Sequence, residues 1–215
     1  MAGGDVPACF NIDKEMTCLY RNLQFLLPDV TKRVLQFVGS WEGEGVSTIC
    51  QEFAKVSAKT FGNSVLLLDA DQHPPHPASQ FETDPSLSEI RSEELPSSQA
   101  FWHVKGMSLS VGSLPRWLPS HLPLGDAQNL GAFWKKLREG FDLVLIDSPP
   151  AVASPESLSL CRWVDGVILI VEAERVSQPV VDHVRESIVR NGGRILGVVL
   201  NKRRYPIPGF LYKHL

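Results

Sequence analysis

Gly39-Ser40-Trp41-Glu42-Gly43-Glu44-Gly45-Val46-Ser47-Thr48 is the stretch whose reading decides the fold of this chain. It follows an apolar, β-rich run, Arg33–Gly39, and opens directly into a helical pattern, Val46–Thr60, with Ile49, Phe53 and Val56 on one face. A glycine-rich turn between a buried strand and a helix gathers backbone N–H groups and the positive end of the helix dipole in one place, which suits a phosphate. In the pattern G-x-x-x-x-G-K-[ST] the lysine clamps the terminal phosphates and the hydroxyl ligates magnesium. Ser40 stands at the first small position, Gly45 at the second and Ser47 at the magnesium position, whereas Val46 occupies the lysine position. A unit charge at ~4 Å is worth on the order of 4 kcal/mol at an effective dielectric of 20, or roughly three decades of affinity. Backbone contacts are thus expected to leave weak binding. Transfer chemistry should lose more, because the lysine neutralises charge on the group in flight. Glu42 and Glu44 add negative charge nearby, and Trp41 is a candidate to fill the emptied cleft.

Working outward, apolar runs recur at Ser64–Leu68, Met107–Val111, Asp142–Ile146, Gly166–Val171 and Ile195–Leu200, and read as buried strands. Helical patterns alternate with them at Ala127–Glu139 and Gln178–Arg190. A further helix over ~13–27 precedes the first strand, with Met16, Leu19, Tyr20, Leu23, Leu26 and Leu27 on one face. Alternating strands and helices, with strands apolar throughout, predict an α/β fold of three layers, a mostly parallel central sheet flanked by helices. The segment from Gln72 to about Pro123, rich in Pro, Ser and His, is too long for a simple connection. His73 and His76 within it read as loop surface rather than metal ligands, since two prolines separate them and no third ligand is evident.

The chain has 215 residues, 43% of them hydrophobic, which suits one domain over 1–215 with a C-terminal tail from ~202. Lys and Arg number 21 against 24 acids, a net charge of −3 that gives no reason to expect nucleic acid or a polybasic membrane anchor. Cys9, Cys18, Cys50 and Cys161 form no C-x-x-C pair and read as reduced, mostly buried thiols. No apolar run approaches the ~18 residues of a membrane span, and Met1–Pro7 lacks a signal pattern. A cytoplasmic protein without direct membrane insertion is the expectation.

Three acids join the loop. Asp69 and Asp71 follow Val65–Leu68, and Asp147 ends Leu143–Ile146. All stand at the carboxyl ends of predicted strands, where open α/β sheets bind ligands. Carboxylates there can hold magnesium through water and orient an attacking group.

Taken together these residues resemble the bacterial tyrosine kinase (BY-kinase) branch of the deviant-Walker, MinD/ParA-like P-loop ATPases. That family reads roughly S-x-x-P-G-E-G-K-[ST]-T, L-L-[IL]-D-A-D, [FY]-D-x-[VI]-[IL]-I-D-[ST]-P-P and G-V-[VI]-L-N, and Gly43–Thr48, Val65–Asp71, Phe141–Pro150 and Gly197–Asn201 follow in that order. Pro85–Ile90 is similar to the family's P-G-L-S-D-V-L, and Leu109–Gly112 to its x-P-x-G strand end. The resemblance implies ATP or ADP with Mg2+ as ligand. Gly43, Gly45, Val46, Ser47, Thr48 and Asn201 take the nucleotide positions, with Asn201 at the adenine. Ser47, Asp69 and Asp147 take the magnesium positions, and Asp69, Asp71 and Asp147 the catalytic ones, here read as vestigial.

The departures carry as much weight. Val46 replaces the lysine, Glu42 a proline, and Gln72–His76 a basic stretch. The family's E-x-x-R-x-x-R helix motif, which supports ring oligomers, survives only as Glu15, Cys18 and Arg21. The tail after Asn201 carries two tyrosines, Tyr205 and Tyr212, where active relatives carry a phosphorylated cluster. The resemblance therefore implies a catalytically weak or inactive BY-kinase-like protein. It would lie at the inner membrane through a membrane polysaccharide co-polymerase, in exopolysaccharide or capsule assembly, with homo-oligomers open. Two alternatives stay open: an active autokinase that borrows a cation such as Lys55 or Lys202, and a MinD/ParA-like positioning ATPase.

Overall fold

The structure, a computed structural model, describes residues 11–28, 31–71, 77–83, 101–114 and 127–203. Cys9, His73, His76, Pro85–Ile90, Trp117, Tyr205 and Tyr212 lie outside these residues, as does most of the tail.

Among the described residues seven strands form one sheet: β1 Arg33–Gly39, β2 Val65–Asp69, β3 Trp102–His103, β4 Leu109–Ser113, β5 Leu143–Asp147, β6 Gly166–Glu172 and β7 Ile195–Asn201. Their order is β3-β4-β2-β5-β1-β6-β7, parallel throughout except for the β3–β4 pair. The helices are α1 Ile12–Leu26, α2 Val46–Thr60, α3 Ala127–Gly140, α4 Pro155–Leu160 and α5 Gln178–Arg190. Successive side chains of a strand point to opposite faces, so each central strand feeds two cores. Leu35 and Phe37 of β1 join Phe53 of α2 and Tyr20 of α1 on one face. Val34 on the other face belongs with Phe133, Trp134 and Leu137 of α3, and Val38 with Val184 and Ile188 of α5. The result is the three-layer arrangement that the sequence predicts.

α1 starts where Asn11 accepts hydrogen bonds from the Asp13 and Lys14 N–H groups at 3.0 and 3.3 Å, a side-chain cap on otherwise unpaired donors. Tyr20 stacks on Phe61 with centroids 3.7 Å apart and donates α1's packing to α2. Leu26, predicted for the buried face, is 40% exposed beside Phe25 at 85%. Cys18, read as buried, also faces outward; Cys50 and Cys161 are buried. The third predicted run is shifted, since Met107 and Ser108 belong to the turn after β3 and pairing begins at Leu109. β3 and α4 have no counterpart among the elements that the sequence predicts. β3 is a two-residue antiparallel edge strand, and α4 follows Pro149-Pro150 with Ser154 before it and Pro155 in its first turn. The first turn is where proline's missing N–H costs nothing.

Candidate functional site

The order of strands places the site. β1 lies between β5 and β6, and the chain leaves it through α2 to reach β2 on the far side of β5. The carboxyl ends of β1, β2 and β5 thus open on one crevice, where such sheets take ligands.

The loop after β1 curls because two glycines adopt left-handed backbone, Gly43 with φ 79° and Gly45 with φ 89°, a region that costs glycine nothing. Glu44 closes the curl from within. It is fully buried, and its carboxylate accepts the Trp41 N–H at 2.8 Å and the Ser40 N–H at 3.3 Å. Burial raises its pKa, while those two N–H groups and the Arg175 charge oppose the rise. Glu44, expected as negative charge near a phosphate, is a brace of the loop. Trp41 is 44% exposed rather than packed into the crevice.

Val46 opens α2 half-buried, against the core shared by α1 and α2. Its Cγ2 sits 2.9 Å from where a Cβ on Gly39 would lie, so Gly39 has room only for hydrogen there. Ser47 and Thr48 are exposed on the first turn of the helix. The Ser47 hydroxyl lies near enough to the Asp147 carboxyl to favour its charged form.

Asp69 and Asp147 are register partners at the ends of β2 and β5, and the Ala70 N–H donates to the Asp147 carbonyl at 2.8 Å, tying the two ends together. Burial pushes the Asp147 carboxyl up to about 7, against the influence of the nearby Ser47 hydroxyl and with a contribution from the Asp69 and Asp71 charges. Asp69 rises to about 6, again by burial, although it accepts the Asp71 N–H at 2.8 Å. Asp71 itself is exposed. Cys50 lies one turn along α2 from Val46, fully buried, and its thiol is raised well above the ordinary range by burial and by both acids.

Asn201 approaches from the end of β7. Its Nδ2 donates to the Glu44 carbonyl at 2.8 Å, and a Cβ on Gly45 would collide with that amide. Lys202 Nζ donates to the Gly43 carbonyl and also lies 3.2 Å from Glu172, which pairs with Arg175 at 2.8 Å. Lys55, the other candidate cation, is paired with Glu52 at 2.7 Å over the ring of Phe81. Loop, Ser47, Asp69 and Asp147 are therefore brought together, with Asn201 bonded to the loop from the end of β7 and Asp71 exposed just beyond β2. Sequence reasoning missed Glu172 and Arg175, which belong to no motif. The signal for Lys202 was its place directly after the asparagine.

A hydroxyl and two carboxylates are hard oxygen ligands of the kind magnesium takes, and magnesium usually keeps several waters and ligand phosphates besides. Among the described residues no three His, Cys, Asp or Glu side chains gather into a metal site of their own. These oxygen donors are of the kind a magnesium-bound nucleotide takes, while position 46 carries no charge.

Known proteins with this arrangement point one way. Over 205 residues the chain is 24% identical to the tyrosine-protein kinase YwqD of Bacillus subtilis (strain 168), covering 92% of this chain and 84% of that protein. Against the tyrosine-protein kinase CpsD of Streptococcus agalactiae serotype III it is 27% identical over 188 residues, covering 84% and 78%. The chain is a homologue of the bacterial tyrosine kinases. The kinase domain of VpsO superposes with a TM-score of 0.65 at 25% identity, over 91% of this chain and all of that one. The kinase domain of the Escherichia coli tyrosine kinase ETK gives 0.71 at 16% identity, over 96% and 85%. MinD from Pyrococcus horikoshii OT3, solved with Mg-ADP, gives 0.52 at 19%, over 85% and 76%. The fold is that of the P-loop NTPases. Of AmsA from Erwinia amylovora this tyrosine-kinase homologue spans only a quarter of the length, 25%. No family model matches the chain. Among the described residues no helix is long and apolar enough to cross a membrane.

Proposed function

We propose that this tyrosine-kinase homologue is a catalytically weak or inactive BY-kinase-like protein. It works by binding, as a cytoplasmic partner and regulator of a membrane polysaccharide co-polymerase in exopolysaccharide or capsule assembly, and is peripheral at the inner membrane through that partner. The observation that carries the reading is Val46. At the position where a cation is needed, an apolar side chain is packed into the α1/α2 core over Gly39, so the charge is replaced by core packing. A loop so built holds ATP or ADP weakly through Gly43, Gly45, Val46, Ser47, Thr48 and Asn201. Ser47, Asp69 and Asp147 supply the magnesium ligands, and Asp69, Asp71 and Asp147 are the vestiges of the catalytic set. When bound, magnesium would offset phosphate charge.

Two surface features support binding over chemistry. Phe25, Leu26, Val198 and Leu200 are exposed apolar side chains, and α1 and β7 enclose a groove of about 320 Å³ lined by Leu19, Leu23 and Val199; exposed apolar surface of this kind marks protein contacts. Glu15, Cys18 and Arg21, what remains of the ring-forming motif, are exposed on α1, which leaves a homo-oligomer open. Purified protein incubated with Mg-ATP should release no phosphate above background and accumulate no phosphotyrosine. Hydrolysis or phosphotyrosine that Asp69→Ala abolishes would overturn the reading.

One observation favours a second reading, an active autokinase: Lys202 lies on the loop. Its ammonium is engaged by the Gly43 carbonyl, however, and held there by Glu172.

A further inference from the structure

The two residues that follow Leu200 hold the loop between β1 and α2 from the end of β7. Asn201 Nδ2 donates to the Glu44 carbonyl at 2.8 Å, and Lys202 Nζ donates to the Gly43 carbonyl. In a trans peptide the N–H points opposite to the C=O. Drawing the Gly43 and Glu44 carbonyls toward the end of β7 therefore turns the N–H groups of Glu44 and Gly45 the other way. Among the described residues neither of those N–H groups is spent on a hydrogen bond. Lys202 reaches the loop from a left-handed backbone, φ 54°, a conformation uncommon for a lysine and tolerated where the surroundings hold it. Here the Asn201 Oδ1 accepts the Lys202 N–H at 2.9 Å, and Glu172 anchors the ammonium. A cation on the carbonyl end of a peptide also polarises it, and hydrogen bonds in such a chain strengthen one another.

We propose that Lys202 is a positioning residue of the anion cradle. It orients and polarises the Gly43–Glu44 peptide so that backbone N–H groups carry part of the phosphate charge that a lysine at position 46 would neutralise. The proposal rests on the reading above that the loop still receives a polyphosphate. Lys202 acts through the peptide and does not touch the anion. Asn201 performs the orienting half of the same task one peptide further on, without charge. Arg175, held by Glu172 beside Gly43, keeps that acid from competing for the ammonium alone.

The test uses the full chain with Lys202→Met and Lys202→Arg, titrated with inorganic pyrophosphate plus magnesium and, separately, with adenosine. Amide resonances of Glu44 and Gly45 in the unliganded protein are followed alongside. Lys202→Met is expected to weaken pyrophosphate about tenfold while Lys202→Arg stays within about threefold. Adenosine affinity should not change, and the Glu44 and Gly45 amides should shift while the rest of the spectrum keeps its dispersion. Equal pyrophosphate affinity in wild type and Lys202→Met would overturn the proposal. So would an equal loss for adenosine, which would make Lys202 a nucleobase contact. Failure of the wild type to bind pyrophosphate at millimolar concentration would also overturn it, and would leave the non-catalytic partner reading standing.

Discussion

Asp69 and Asp147 stand side by side at the ends of neighbouring parallel strands, as register partners of β2 and β5, and burial raises both carboxyls, to about 6 and about 7. A buried acid, Asp147, and a half-buried one, Asp69, that resist ionisation are a cost to the fold near neutral pH and an asset only when a cation arrives.

That cost has a sign. With folded pKa values above the ordinary carboxylate value, the native state binds more protons than the unfolded chain between about pH 4 and 7, so stability falls as pH rises through that window. The contribution is fully present below the unfolded pKa and is lost above about 7. In magnesium-free buffer Asp147→Asn is expected to raise unfolding stability at pH 8 by on the order of 2 kcal/mol, and by clearly less at pH 5. Urea unfolding at the two pH values measures it.

Thiol chemistry separates the cysteines. Burial pushes Cys161 up to about 12 and Cys50 well above the ordinary thiol range, while Cys18 is exposed. Thiolate is the reactive form. Alkylation of the native protein at pH 8 should label Cys18 and spare Cys50 and Cys161, which become reactive only on unfolding; peptide mapping reads the sites.

Asp165 joins three elements. Its Oδ2 accepts the Val34 N–H at 2.7 Å and pairs with Arg138 of α3, which also donates to the Trp163 carbonyl at 3.4 Å. Asp165→Ala leaves a backbone donor and a half-buried guanidinium without that carboxylate, and should cost about 1–3 kcal/mol in thermal or chemical unfolding.

Gly45 is constrained twice, by a φ of 89° and by the Asn201 amide packed where a Cβ would be. Gly45→Ala should destabilise the protein by about 1–3 kcal/mol. It should also release Asn201 from the Glu44 carbonyl, visible as a changed Asn201 side-chain amide resonance.

Much of this architecture was legible in the sequence, because the central strands are buried on both faces and show as unbroken apolar runs between helical periods. β1 and α2 coincide with the predicted spans, and Asp69 and Asp147 end β2 and β5 as their position after Leu68 and Ile146 requires, with Asp71 two residues beyond. What escaped was short or depended on the fold. Trp102–His103 is too brief to show a period, and Pro155–Leu160 is under two turns. Glu44 reads as a surface charge in sequence and becomes a brace only once Gly43 and Gly45 curl the loop around it. The Lys202–Gly43 contact joins residues 159 apart in the chain, and no local pattern announces it.

The central claim is that the cradle persists and the grip is lost at one residue. Calorimetric titration of Mg-ATP into wild type and Val46→Lys, side by side, tests it most directly. The account predicts weak or undetectable binding by the wild type, and a gain of about two to three decades when the lysine is restored, since a single charge is worth that much at this range. Tight wild-type binding that Val46→Lys leaves unchanged would contradict it.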